Sequence, residues 1–303
     1  MSIAETILYH LSKKWPAPKR PLKADGALTG EAYHLAYAMK MQFQACVRNG
    51  VKADIQSKEI LEIGCGHGGI TCFLAINGAK RVVGIDLNTY NLSIAEKFHQ
   101  QLAIQVLGNA EAKLNVEFLE KNATDLDYPD ESFDMVWAEN VFEHFMEPKA
   151  VMVEAYRVLR PGGQLVVPVF SSIYSKYGAH LKQGLKVPWS NLFFSEKTIC
   201  NTLYRLAEEN PKVFDMYPGL ADKPGTIRNL RRYKDLNDIT FGKFKRMADS
   251  CGFQVESFRS VAPKDIWLLN KLSSKLPIVR NTLLHDIFST GASAILKKRS
   301  LKT

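Results

Sequence analysis

A glycine-rich turn directly after a short apolar strand constrains the fold of this chain more than any other feature. Residues 59–63 read EILEI, and Gly64, Gly66 and Gly69 follow in the pattern GxGxxG before an apolar helical stretch. Such a turn lets the backbone approach a ligand closely and directs the amides of a helix N-terminus at negative charge. Asp86 ends the next apolar strand, where a carboxylate can accept hydrogen bonds from two ribose hydroxyls. The sequence therefore predicts a nucleotide-like cofactor held between the ends of two parallel strands.

Strands and helices alternate after this turn, which is typical of a parallel sheet covered by helices on both faces. Because strands of this kind are short apolar runs, we expect seven of them, at 60–63, 81–85, 116–119, 133–138, 164–170, 253–261 and 289–296. Helices are expected between them at 69–77, 89–105, 147–160 and 240–251. The predicted fold class is α/β, with a doubly wound, mostly parallel, seven-stranded sheet.

The chain is expected to divide into four regions. Residues 1–57 form an N-terminal helical segment, which includes a helix at 28–49, and residues 58–170 form a cofactor-binding core. Residues 171–238 break the alternation and are predicted to form a substrate cap inserted after the fifth strand, and residues 239–303 complete the sheet. Ligands of open α/β sheets bind beyond the carboxyl ends of the strands. A cap that leaves the fifth strand would therefore cover the ligand crevice and set substrate choice.

The residues around the glycine turn resemble the first motif of the class I S-adenosylmethionine-dependent methyltransferases. ILEIGCGHGG has Glu62 two positions before the first glycine, and the resemblance continues through Asp86, Asn122-Ala123, YPDESFDMVWAENVFEHF at 128–145 and VLRPGGQL at 158–165. The chain looks most like the small-molecule members related to quinone-biosynthesis methyltransferases. The resemblance implies a Rossmann-like fold and S-adenosyl-L-methionine as the cofactor. The glycine turn and Asp86 without the other motifs would also fit a nicotinamide or flavin dinucleotide.

The resemblance also implies which residues hold the methionine end of the cofactor. Glu62 would take the methionine ammonium, and the backbone amides of Gly64, Cys65 and Gly66 would meet the methionine carboxylate. Glu139 follows the fourth strand, where the cofactor and substrate pockets of the family meet.

The ribose and adenine are implied to lie against the next two strands. Asp86 would hold the ribose, and Leu87 would pack on the adenine. Asn122 stands where many relatives have Asp, and its side-chain carbonyl can still accept a hydrogen bond from the adenine amino group. The amide of Ala123 would face a ring nitrogen.

Histidines near these motifs are candidates for proton transfer. The sulfonium of the cofactor makes its methyl electrophilic, so the protein has to align a nucleophile, exclude water and remove a proton where the nucleophile carries one. His144 follows the fourth strand and His180 opens the cap, so either is a candidate base, with Glu143 as a weaker one. A hydrogen-bonded structural role explains each histidine equally well. No metal-ligand spacing is present in the sequence, so no metal is expected.

The predicted cap contains aromatic side chains that can form an apolar surface. Tyr174, Tyr177 and Trp189 are candidate substrate contacts, although they can equally form the core of the cap. An apolar stretch with interspersed lysines at 266–279 can rest on a membrane surface or a lipid, or pack against the sheet or a second subunit in a homodimer.

The distribution of charge and the number of cysteines indicate which binding partners and which cellular compartment to expect. The net charge of +9 is concentrated at the two ends of the chain, where RNA or anionic lipid can bind but where solvated tails are the simpler interpretation. Ala138-Glu139-Asn140-Val141 replaces the Asn-Pro-Pro-Tyr-like segment of the amino-methyltransferases of DNA bases and protein glutamines, so nucleic acid is not the expected partner. Five dispersed cysteines, no long apolar run and no secretory signal favour the cytoplasm.

Three functions remain open at this point. The leading expectation is methyl transfer to an O, N or activated C atom of a fairly apolar small molecule, such as a secondary metabolite, quinone or lipid. The alternative is an RNA or protein methyltransferase that docks through its basic ends. A protein that keeps the fold without catalysis is the third, but the intact glycine turn and Asp86 argue against it.

Overall fold

The computed structural model describes residues 2–14, 53–107, 114–176, 178, 184–210, 236–261, 267–275 and 283–299. Its centre is a seven-stranded sheet in the order β3-β2-β1-β4-β5-β7-β6. The strands are β1 (Glu59–Ile63), β2 (Arg81–Asp86), β3 (Val116–Glu120), β4 (Phe133–Trp137), β5 (Leu159–Phe170), β6 (Phe253–Val261) and β7 (Gly291–Lys298). The first five are parallel, and β7 is antiparallel to both of its neighbours. The predicted α/β fold and its mostly parallel seven-stranded sheet are confirmed.

Helices of very different length accompany the strands, from four residues in the shortest to 19 in the longest. The described helices are α1 (Ile3–Lys14), α2 (Gly69–Ile76), α3 (Thr89–Leu107), α4 (Pro148–Val158), α5 (Ser190–Phe193), α6 (Glu196–Glu209), α7 (Phe241–Ser250), α8 (Trp267–Lys275) and α9 (Leu283–Ile287). The helix expected at 28–49 lies outside the described residues.

Alternate strand residues supply the two faces of the sheet, as the two-residue period of a strand requires. On one face Leu61, Val136 and Leu165 are fully buried against α4 and α7 in one hydrophobic cluster. On the other face Ile60 and Val166 belong to a second cluster, which includes residues of α2. Both faces are therefore covered, which explains why these strands are continuous apolar runs.

The Arg160-Pro161-Gly162-Gly163 segment differs from the sequence prediction. It is expected to end a helix before a strand at 164, but β5 already begins at Leu159. Phe133 of β4 pairs with Leu159, whereas Met135 pairs with Gln164, so the extra residues of β5 form a bulge. Gly162 has a φ of 79°, a left-handed conformation that glycine adopts without steric cost. The glycines therefore bend the strand rather than precede it.

The N-terminal helix packs on the segment that interrupts the sheet. Leu8 of α1 is fully buried among Leu185, Ile199 and Leu203. The Nζ of Lys13 lies 2.9 Å from a carboxylate oxygen of Glu209 at the end of α6. The sequence divides these regions into an N-terminal segment and a cap, whereas α1 and α6 share one small core.

Leucines of α8 and α9 remain at the surface. Leu268, Leu269 and Leu272 are 60%, 47% and 52% exposed, and Leu283 and Leu284 are each 48% exposed. None of the helices in the described ranges combines the length and the apolar character that crossing a bilayer requires.

Candidate cofactor site

An open cleft of about 700 Å³ lies at the carboxyl ends of the central strands. Its lining residues come from the ends of β1 and β2, from the loop after β3 and from the turn after β4. Strand β1 is flanked by β2 on one side and β4 on the other, so the chain winds outward in both directions from this point. This is the switch point at which doubly wound sheets bind their ligands.

The glycine turn after β1 is held tightly against both neighbouring strands. The amides of Gly64 and Cys65 donate to the carbonyl oxygen of Ile85 at 2.8 and 3.0 Å. Gly64 has a φ of 73°, and a Cβ built there would lie 2.5 Å from Cγ2 of Val141. Only a residue without a side chain allows this approach, because both the backbone conformation and the space exclude Cβ. Cys65 is buried beneath the turn, and burial raises the pKa of its thiol.

Asp86 connects the glycine turn to the end of β2. One carboxylate oxygen accepts the amide of Gly66 at 2.9 Å, and the other accepts the amide of Asn88 at 2.8 Å. A carboxylate offers about four acceptor positions, so each oxygen can accept one more hydrogen bond from the cleft that Asp86 lines. The arrangement suits a vicinal diol such as ribose.

Glu62 lies buried behind the turn, on the side of the sheet that α2 covers. Its side chain accepts a 2.5 Å hydrogen bond from the hydroxyl of Thr71. Burial, together with the negative charges of Glu139 and Asp86, raises the pKa of Glu62 to about 8, although the hydrogen bond from Thr71 lowers it. Three carboxylates close enough to influence one another favour a cationic ligand. The residues therefore fit S-adenosylmethionine, whose methionine end carries an ammonium and a sulfonium.

The loop after β3 forms the side of the cleft implied for adenine. Asn122 is exposed, and its Oδ1 accepts the amide of Thr124 at 3.0 Å, while Ala123 is buried beside it. Leu87 is 68% exposed and lines the cleft from β2. A 68% exposed leucine beside a cleft offers an apolar face to a flat ring.

His144 also lines the cleft, at the end of a 3₁₀ turn formed by Phe142–His144. The side-chain amide of Asn237 fixes this turn, because its Nδ2 donates to the carbonyl oxygens of Phe142 and Phe145, each at 2.7 Å. The amide of Asn237 itself donates to the carbonyl oxygen of Glu143 at 2.8 Å. His144 is therefore held on a rigid backbone between the cofactor side and the outer end of the cleft.

The predicted substrate contacts are not all brought to this cleft. The indole Nε1 of Trp189 donates to the carbonyl oxygen of Ile287 at 2.7 Å, which ties the ring to the C-terminal part of the fold. Among the described residues, the cleft lining includes neither Trp189 nor Tyr174. Tyr177 and His180 lie outside the described residues.

Two contributors to the site were missed by the sequence reasoning. Thr71 bonds Glu62 from the first turn of α2, and a hydroxyl one turn after the glycines is a signal that motif reading can use. Asn237 is distant in sequence from the turn that it fixes, so no local signal points to it. Within the described part of the chain, no three His, Cys, Asp or Glu side chains are grouped as metal ligands.

Comparison with known proteins gives the same assignment for the central region. A family described as "Methyltransferase domain" matches residues 61–167. Fatty-acid O-methyltransferase of Mycolicibacterium smegmatis is 34% identical over 115 residues, which is 37% of this chain and 37% of that protein. Ubiquinone biosynthesis O-methyltransferase of Pseudomonas syringae pv. tomato is 32% identical over 131 residues, 43% of this chain and 50% of that protein.

A third relative extends further along the chain. The tRNA U34 carboxymethyltransferase of Cellvibrio japonicus is 29% identical over 182 residues, 59% of this chain and 54% of that protein. The chain thus spans about half or less of the length of these three curated relatives.

A candidate S-adenosylmethionine-dependent methyltransferase from Listeria monocytogenes shares the fold, with a TM-score of 0.50 and 14% identity over 87% of this chain and 99% of that one. Residues 61–167 thus match a methyltransferase domain.

Proposed function

We propose that the whole protein transfers a methyl group from S-adenosylmethionine to a small, largely apolar molecule. The observation that carries this proposal is the cleft at the switch point of the sheet, which joins an inner end that contains the Asp86 carboxylate to an outer end with apolar side chains. Asp86 and the turn in front of Glu62 form the inner end, and Val141, Phe145 and Met146 line the outer end.

The chain's own residues have distinct tasks in this proposal. Glu62 binds the methionine ammonium, the amides of the glycine turn bind the methionine carboxylate, and Asp86 binds the ribose hydroxyls. The bound cofactor supplies an electrophilic methyl group, so the protein contributes alignment and the exclusion of water. His144 accepts the proton of a hydroxyl or amine acceptor, because it lies on a fixed turn at the border between the two ends of the cleft.

The names of the relatives and the outer end of the cleft support an apolar acceptor. One relative is named a fatty-acid O-methyltransferase, and another is named a ubiquinone biosynthesis O-methyltransferase. The acceptor atom can be O, N or an activated C atom, since the proposed alignment does not depend on which of them attacks. The cap region 171–238 would set the choice of acceptor. Tyr174 and Trp189 would affect that choice through the shape that they give to the cap.

RNA is a second candidate substrate because the relative that covers the largest share of this chain among the three is named for tRNA. The basic ends would then be the docking surface. One of the C-terminal lysines is already used within the fold, since Nζ of Lys298 donates to the carbonyl oxygen of Leu159 at 2.6 Å. Retention of tRNA that weakens steeply with salt would favour this candidate.

Calorimetry with S-adenosylhomocysteine and with NAD tests the proposed cofactor. We expect S-adenosylhomocysteine to bind and NAD not to bind. Asp86→Ala should weaken binding about ten- to a hundredfold, because hydrogen bonds to a charged group contribute roughly 1.5–3 kcal/mol. Asp249→Ala removes an exposed carboxylate of α7 and is the matched control. Binding of NAD without binding of S-adenosylhomocysteine would contradict the proposal.

Methyl transfer itself is tested by incubating the protein with labelled S-adenosylmethionine and metabolite extracts. A mass shift of one methyl group on an apolar metabolite is the expected result, and labelling of tRNA alone would favour the second candidate.

A further inference from the structure

A second cleft, of about 430 Å³, opens beside the cofactor cleft. It lies between the first residues of α4 and the outer face of α7, and the 237–239 segment forms its floor. Met146 lines both clefts and is 68% exposed. One molecule can therefore extend over Met146 from the second cleft to the cofactor cleft.

Three of the ten described residues that line this second cleft are basic. Lys149, Lys243 and Arg246 line it, and Asp238 is its one carboxylate among the described lining residues. Asp238 lies 2.5 Å from Nζ of Lys243, so that lysine is already paired. Among the described lining residues, Lys149 and Arg246 add two positive charges beyond the pair of Lys243 and Asp238. Such an excess attracts an anion.

The N-terminus of α4 adds to this positive potential. Pro148 and Lys149 are the first helical residues, and the preceding Glu147 makes no side-chain capping hydrogen bond. The amides at the start of a helix carry partial positive charge, although Pro148 contributes no N–H and the Glu147 carboxylate lies at the same end.

The rest of the cleft is apolar and fixed in place. Met146, Ile239 and Met247 form its apolar wall. Asn237 lies on its floor, and its Oδ1 accepts the amide of Ile239 at 2.9 Å while its Nδ2 holds the turn that carries His144. Asn237 therefore connects the 237–239 segment of this cleft to the turn that carries His144.

We propose that this second cleft, called here the basic cleft, binds a carboxylate or phosphate group of the acceptor molecule, whose apolar part lies over Met146. The acceptor is then an amphiphilic anion, with its negative group remote from the atom that takes the methyl. This inference rests on the proposed function and narrows its substrate class. It makes Lys149 and Arg246 specificity-determining residues that bind substrate and leave the cofactor untouched.

Calorimetry on the protein saturated with S-adenosylhomocysteine tests the inference, with octanoate, octyl phosphate and octanol as probes. We expect one or both anions to bind at least tenfold more tightly than octanol and to weaken with added salt. Tighter binding of octanoate identifies a carboxylate site, and tighter binding of octyl phosphate identifies a phosphate site.

The variant Lys149→Gln/Arg246→Gln should weaken binding of the anions at least tenfold and leave octanol binding unchanged. Lys97→Gln/Arg259→Gln removes two charges on exposed residues of α3 and β6 and is the matched control. Equal binding of all three probes, no binding of the anions, or wild-type affinity for the anions in the first variant would overturn the inference. If S-adenosylhomocysteine still binds in those cases, the proposed function stands, whereas loss of its binding to the wild-type protein overturns both.

Discussion

At the scale of single residues, Glu62 has the most unusual chemistry in the described part of the site. Its pKa is raised to about 8 by burial and by neighbouring negative charge, so the free protein carries Glu62 protonated at pH 7. Because the folded-state pKa lies above the ordinary value of 4.5, its stabilising effect is fully present below pH 4.5 and is lost as the pH rises toward 8. If Glu62 binds the methionine ammonium as proposed, the charged carboxylate is favoured and cofactor binding has to expel the proton.

Proton release on binding is therefore the first prediction. Calorimetry of S-adenosylhomocysteine binding at pH 7, in buffers of different ionisation enthalpy, should show release of up to about one proton. Glu62→Gln mimics the protonated form, so it should abolish that release and lower affinity about tenfold or more, through loss of a charge-assisted hydrogen bond. The stability of the Gln variant should also stay constant between pH 5 and 8, where that of the wild type declines. The same proton release in the Gln variant would show that another group titrates.

His144 is the second residue for which a role in catalysis can be tested separately from a role in the structure. If it accepts the acceptor's proton, His144→Ala should lower kcat by about 10²–10⁴ and remove the acidic limb of the pH–rate profile. Cofactor affinity should stay within about twofold, because Asn237 holds the backbone of the turn. His10→Ala, an exposed histidine of α1, is the control. A kcat near that of the wild type across pH 6–9 would mean that His144 is not the base.

At the scale of elements, the turn between β1 and α2 depends on two glycines in different ways. A Cβ at Gly64 would lie 2.5 Å from Val141, whereas nothing lies within 4 Å of the corresponding position at Gly66, although both have positive φ. Gly64→Ala should therefore displace the turn or Val141 and weaken S-adenosylhomocysteine binding at least tenfold. Gly66→Ala has only the backbone strain, of order 1–3 kcal/mol, and should retain more affinity. Equal loss in both variants would show that conformation, not space, makes glycine necessary at Gly64.

The elements of the central domain could be predicted because their signals are local. Apolar runs, glycines and the acid at the end of β2 are read directly from neighbouring residues, and the strands lie where these signals place them. The bulge at Arg160–Gly163 could not be predicted, since a glycine-rich turn and a glycine-rich bulge have the same local composition. Thr71 lies only nine residues after Glu62, but the contact of Asn237 with the His144 turn depends on a distant part of the chain. The same holds for the bond that ties Trp189 to Ile287.

At the scale of the whole molecule, the described part of the segment that interrupts the sheet is stabilised partly by α1, which lies outside that segment. One hydrophobic cluster contains residues of α1, of α6 and of the chain before each of α6 and α7, namely Leu8, Leu185, Ile199, Leu203 and Leu236. The cluster is separate from the two clusters that line the central sheet. Nothing local in MSIAETILYHLSKKW indicates this partner, because an amphipathic helix does not specify the surface that it covers.

Separate clusters predict separate responses to mutation. Leu8→Ala empties a fully buried site in the α1–α6 cluster, so it should destabilise that cluster by about 2–5 kcal/mol. Hydrogen exchange should then show reduced protection in α1 and α6, with β1, β4 and β5 protected as in the wild type. S-adenosylhomocysteine affinity should stay within about twofold, because none of the cluster residues lines the cofactor cleft among those described. Ile7→Ala, at a side chain 49% exposed, is the matched control and should change stability little. Equal loss of protection in the central strands would show instead that α1, α6 and the sheet unfold as one cooperative unit.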